Sequence, residues 1–146
     1  MDQIEYVYTA GMTESEVDER LRESEAGVLS LADGGDAYAV PVSFHYDGAS
    51  LHFRLGDEGD GRKFEFADAT DRASFVLFDA DGDDSWSVVA AGPLDRLSDA
   101  EADEYDAATL DERFGSLRVF GESVEETDLA LYELRVEEVT GRRTVE

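Results

Sequence analysis

The chain has no cysteine, two prolines, one tryptophan and, at position 63, its only lysine in 146 residues. Without thiols there is no disulfide framework and no thiolate metal site. No apolar run reaches the roughly 20 residues that a membrane-spanning helix needs. The acidic N-terminal stretch also lacks the basic-then-apolar order of a secretory signal. A soluble, cytoplasmic protein without a membrane partner is expected. Basic charge is scarce: 12 Lys and Arg stand against 37 Asp and Glu, for a net charge of −25. No basic stripe is present to meet phosphodiesters, so nucleic acid and anionic membranes are poor partners.

The acidic residues are spread along the chain and do not gather in a tail. Their mutual repulsion weakens the compact state in dilute buffer, and salt screens it. An acidic surface with a single lysine is the composition expected of a salt-accumulating microbe, and a halophilic protein is the corresponding expectation. Apolar residues make up 42% of the chain, with eight Phe and six Tyr. That is enough to bury one core, so residues 1–146 are expected to form a single domain.

Thr13 with Glu16 three residues on has the spacing of a capping box, and Val17 and Leu21 follow at i, i+4 on one helix face. Ala26–Ala32 is a short apolar run, and Asp33-Gly34-Gly35-Asp36 then predicts a hairpin turn. Over 37–46, Tyr38, Val40, Val42, Phe44 and Tyr46 alternate with Ala39, Pro41, Ser43 and His45. After Asp47-Gly48, Leu51, Phe53 and Leu55 alternate with Ser50, His52 and Arg54. An acidic, Gly-containing loop over 56–61 leads into a short helix predicted from Arg62, with Phe64, Phe66 and Ala67 on its buried side. Strands are expected over 73–79 and 85–94, and Ser98 with Glu101 opens another helix predicted to reach Phe114. A last strand is expected over 129–139. This order predicts a mostly β (α+β) antiparallel barrel with a few packed helices.

Gly61-Arg62-Lys63 places two cations at a helix start, where free backbone N–H groups attract anions. Cations there oppose the helix dipole unless an anion is bound, and a phosphate monoester suits an Arg–Lys pair. The stretch is no P-loop, because Phe64 stands where Ser or Thr must follow the lysine. Asp79, Asp81, Asp83 and Asp84 do not make an EF-hand, since Ala90 occupies the twelfth position, and a solvated acidic hairpin is expected instead. His45 and His52 are the only histidines; without cysteine, a structural zinc site is disfavoured and no metal site is assigned. Ser85–Pro93 carries small and hydroxyl residues that leave room for a flat ligand, or else forms a core strand with a glycine bulge at Gly92.

Taken in order, Ala26–Ala32, Tyr38–Phe44, Leu51–Arg54 with Gly61-Arg62-Lys63, Ala73–Phe78 and Trp86–Gly92 resemble the pyridoxamine 5'-phosphate oxidase-like split barrels. The similarity covers residues 20–97. It is closest in character to the short nitroimidazole-resistance-like branch, of haloarchaeal type. The resemblance implies a split β-barrel of about six antiparallel strands and a homodimer with FMN at the subunit interface. Val40, Pro41, Val42 and Ser43 would then line the flavin ring, mainly through backbone groups. His52, Phe53 and Arg54 would flank the ribityl phosphate, Arg62 and Lys63 would clamp the phosphate, and Trp86, Ser87 and Val88 would approach the flavin. Arg54 stands where many nitroimidazole-resistance relatives carry His, so no catalytic residue is assigned. The implied function is that of a flavin-dependent oxidoreductase, the substrate being unknown. A deazaflavin- or haem-binding barrel and a non-catalytic flavin carrier or sensor are the alternatives.

Overall fold

In the computed structural model, residues 8–57, 61–81, 84–102 and 128–145 are described. Period-two alternation builds most of the sheet. Strand β2 (Ala26–Asp33) turns at Gly34-Gly35 into β3 (Asp36–Tyr46), in the register Asp33↔Asp36 to Ala26↔Ser43. The Asp47 carboxylate accepts hydrogen bonds from the N–H groups of Ala49 (2.9 Å) and Ser50 (2.8 Å), shaping the turn into β4 (Ser50–Asp57). Strands β5 (Arg72–Asp79) and β6 (Trp86–Arg96) form the acidic hairpin expected between 79 and 86, pairing Asp79 with Trp86.

The single apolar strand expected near the end is two strands, β7 (Asp128–Arg135) and β8 (Glu138–Val145). The break lies where the Glu137 N–H turns aside to donate to the Ala91 carbonyl (3.0 Å). Strand β8 then pairs with β6 and with β1 (Tyr8–Gly11), a short edge strand that the apolar pattern does not mark. Six strands, β6-β5-β2-β3-β4-β7, close into an antiparallel barrel through the β6–β7 pairing, while β8 and β1 continue outside it. The barrel splits along β6. Its first half, to Ala91, pairs with β8, and Leu94–Arg96 pair with β7. Gly92 sits at the crossing, where a Cβ would lie 1.7 Å from the Arg135 carbonyl oxygen. Only a residue without a side chain lets the two backbones approach this closely.

Inside the barrel, Leu29, Leu51, Phe53, Phe75, Tyr132 and Leu134 are each 1% exposed or less. The Phe75 ring packs between Phe44 (4.8 Å) and Phe53 (5.2 Å). Each such side chain contributes about 1.5–3 kcal/mol through removal from water. Helix α1 (Glu14–Glu23) begins with the predicted capping box of Thr13 and Glu16, and buries Val17 and Leu21. Helix α2 (Arg62–Ala69) buries Ala67 and packs Phe64 and Phe66 against the core. Helix α3 (Asp99–Ala102) opens on the reciprocal Ser98–Glu101 hydrogen bonds; its predicted continuation to Phe114 lies outside the described residues.

Candidate functional site

Strand alternation sorts the residues singled out in the sequence onto two faces. Val40, Val42, Phe53 and Val88 point into the barrel and are buried in its core. A ligand outside the wall could meet them only through their backbone. Pro41 and Ser43 on β3, His52 and Arg54 on β4 and Ser87 on β6 point outward. The ladder sets Ser43 directly opposite Arg54, and His45 opposite His52.

The outward face of β4 departs from simple alternation. Ser50, His52 and Arg54 are buried along with the inward Leu51, Phe53 and Leu55. A buried guanidinium needs compensating partners, so Arg54 is held in a specific setting and is no ordinary surface charge. His52 lies between two carboxylates: its Nε2 is 3.4 Å from Glu133 Oε2 and its Nδ1 is 3.9 Å from Asp47 Oδ2. The Nδ1 atom is buried and makes no hydrogen bond among the described residues. Burial alone would raise the Asp47 carboxyl, but its two backbone N–H donors and the nearby histidines outweigh that and hold it below the ordinary range.

The second part of the site is the start of α2. Gly61 caps the helix in the left-handed region, at φ 70°, and supplies no side-chain cap to the first-turn N–H groups. Arg62 is exposed and Lys63 half-buried. The Arg62 guanidinium lies 5.3 Å from the Tyr38 ring centroid and 5.7 Å from that of Phe66. These two rings are themselves stacked at 5.2 Å.

The far end of α2 is pinned firmly. The Thr70 hydroxyl accepts from the Ala32 N–H (3.0 Å) and lies 2.6 Å from the Phe66 carbonyl. The Tyr132 hydroxyl donates to Asp68 (2.8 Å), and Arg96 approaches the same carboxylate at 3.5 Å. Burial, then the hydrogen bond to Asp68 and that carboxylate's charge, push the Tyr132 hydroxyl above its ordinary range. Tyr38, beneath Arg62, is five residues from Ser43 along β3, about 17 Å at the usual strand rise. A ligand touching both ends of the site must therefore be long.

Trp86 stands apart, half-buried beneath the Arg20 guanidinium at 4.6 Å. One feature of the outer wall is not marked by spacing in the sequence. Register places Pro41, Val28, Val76 and Val89 side by side across β3, β2, β5 and β6. Next to this band Phe78 is 64% exposed, and Val89 within it is 42% exposed. Among the described residues there is no group of three or more His, Asp or Glu placed to hold a metal ion, and no helix is long and apolar enough to cross a membrane.

The closed six-strand barrel with an outlying β8–β1 ribbon defines a split β-barrel. The sequence profile of the pyridoxamine 5'-phosphate oxidase family matches residues 13–143, and the chain belongs to that family. Solved structures share the fold. An FAD-binding protein from Mesorhizobium loti superposes with a TM-score of 0.75 at 21% identity, covering 94% of this chain and 99% of that one. A candidate 5-nitroimidazole antibiotic resistance protein from Bacteroides thetaiotaomicron gives 0.65 at 17% identity, covering 100% and 99%. An FAD- and haem-binding protein from Mycobacterium smegmatis gives 0.69 at 16% identity, covering 94% and 74%. No curated protein matches the chain.

Proposed function

We propose that the protein binds FMN in an extended site on the outer barrel wall and acts as a flavin-dependent oxidoreductase. The observation that carries this reading is the placing of a half-buried lysine and an aromatic-backed arginine in the first turn of α2, behind a glycine N-cap that has no side chain. First-turn N–H groups and two cations suit a terminal phosphate. The residues fit such a group: Gly61 brings no side chain to occupy the anion position, and Tyr38 and Phe66 hold the arginine in place. From there Arg54 and Ser43 continue the polar wall, and Pro41 and Ser87 flank it. The backbone of Val40 and Val42 offers further polar groups where it is not engaged in the ladder.

The bound flavin would supply hydride or electron transfer. The chain's own contribution is to grip the phosphate and fix the ring against the wall. His45 and His52, opposite each other in the ladder, are equally near the Ser43–Arg54 pair by register, and of the two it is His52 that is set between carboxylates, Asp47 and Glu133. It is therefore the group placed to hold or pass a proton. The exposed apolar band from Pro41 to Val89, with Phe78, suits a second copy of the chain. A homodimer whose two walls face each other would shield the flavin from water. The low lysine content and the charge of −25 support a halophilic, cytoplasmic protein.

Absorbance spectra of the purified chain, before and after added FMN, test the cofactor. The two visible flavin bands, bleached by reduced nicotinamide and restored by a nitroaromatic or quinone acceptor, are the expected outcome. A flavin that binds but turns over with no acceptor would favour a carrier or sensor. A chain that takes up deazaflavin or haem and refuses FMN would overturn the cofactor assignment.

A further inference from the structure

A cavity of about 880 Å³ lies between α1, the start of β8 and the β3–β4 turn, and none of its lining residues belongs to the proposed flavin site. That volume is within the range of small-molecule sites. Its floor is apolar, made by Met12, Val17, Leu21 and Val139. Val139 is 41% exposed, one of three large apolar side chains that stand this open among the described residues. The cavity is a built feature of the fold. Met12 and Val17 close over Gly141, where a Cβ would come within 2.7 Å of the Met12 sulfur and 2.9 Å of Val17 Cγ2.

Asp18, Tyr46 and Gly48, also in the lining, make a polar and braced part of it. Arg22 pairs with Asp18 at 2.8 Å and lies over the Tyr46 ring at 5.3 Å, and the Tyr46 hydroxyl donates to the Gly48 carbonyl (3.0 Å). Asp18 is thus already engaged by a cation. Glu14, one turn earlier on the same lining, has no ion-pair or hydrogen-bond partner among the described residues. The lining carries two carboxylates, Glu14 and Asp18, against one cation, Arg142; beside an apolar floor, in a molecule of charge −25, that excess favours a cationic head group.

We propose that this cavity is a second small-molecule site, for an amphipathic organic amine whose apolar body lies on Met12, Leu21 and Val139 and whose ammonium meets Glu14. The assignment is independent of the flavin reading. The test is calorimetric titration of the full chain with 4-phenylbutylamine and with its uncharged counterpart 4-phenylbutanol, with and without saturating FMN. The amine is expected to bind roughly threefold or more tighter than the alcohol, the scale of one exposed charge contact. FMN should leave both affinities unchanged.

Glu14→Gln should erase the preference while leaving alcohol binding intact. Val139→Trp, which fills the floor from an exposed position, should weaken both ligands. Circular dichroism confirms that each variant is folded. Equal binding of amine and alcohol, a preference that survives Glu14→Gln, displacement by FMN or no binding at all would overturn the proposal.

Discussion

Tyr132 and Asp68 join the barrel interior to α2 through a single hydrogen bond of 2.8 Å. Tyr132→Phe keeps the ring and removes the bond to a charged acceptor, so a loss of about 1.5–3 kcal/mol in chemical denaturation is expected. The pair proposed to hold the phosphate is expected to behave oppositely. Arg62 is exposed and Lys63 half-buried, and neither is part of the core. The double substitution Arg62→Ala, Lys63→Ala is therefore expected to release FMN with little change in melting temperature; retained FMN would show that the phosphate is held elsewhere.

Titration at Asp47 and Glu16 has a definite sign. Both carboxyls lie below their ordinary range, Asp47 against its own burial and Glu16 chiefly through the Thr13 backbone N–H and, more weakly, Arg143. A group that is a stronger acid when folded stabilises the fold above the ordinary carboxyl pKa of about 4, and that stability is lost as pH falls through the lower folded value. The melting temperature should fall from about pH 5 downward, and less steeply in Asp47→Asn and Glu16→Gln.

At the scale of the element, what matters is whether local pattern or tertiary pairing makes the structure. Helix α1 is local: its capping box was legible at Thr13 and Glu16, and Thr13→Ala is expected to cost about 1 kcal/mol. The β2–β3 hairpin, β4 and the start of α2 were equally legible, because their alternation, turns and cap lie in consecutive residues. Strand β8 was not. Gly141-Arg142-Arg143-Thr144 has no apolar alternation and is a strand because it zips onto β6, with the Thr144 N–H donating to the Ser85 carbonyl (2.9 Å). The split at Gly92 was visible only as a glycine in a strand; the Arg135 backbone pressed against it is a tertiary fact. Gly92→Ala should cost about 1–3 kcal/mol or more through forced backbone shifts, read as a lowered melting temperature.

The candidate site was legible in the same uneven way. Arg62 and Lys63 were marked by their position at a helix start. The residues of β4 were marked only by family resemblance, because alternation reveals one buried face and β4 is buried on both. The Tyr38–Phe66 support beneath Arg62 joins residues 28 apart in the chain and left no local signal.

At the scale of the whole molecule, charge and the apolar outer band act against each other. Two chains of charge −25 repel as they approach, while Phe78, Val89 and Pro41 favour contact. Screening shortens the repulsion to roughly 3 Å at molar salt, against about 30 Å at 0.01 M. Light scattering should therefore find dimers in molar KCl that dissociate on dilution of the salt. A particle size independent of salt would argue against the proposed face.

The proposed grip of α2 on a flavin's terminal phosphate is tested most directly by titrating the protein with FMN and with riboflavin, which lacks the phosphate, and following the quenching of flavin fluorescence. At least a tenfold tighter binding of FMN is predicted, the scale of one or more charge-assisted hydrogen bonds. Equal affinity for the two flavins would contradict it.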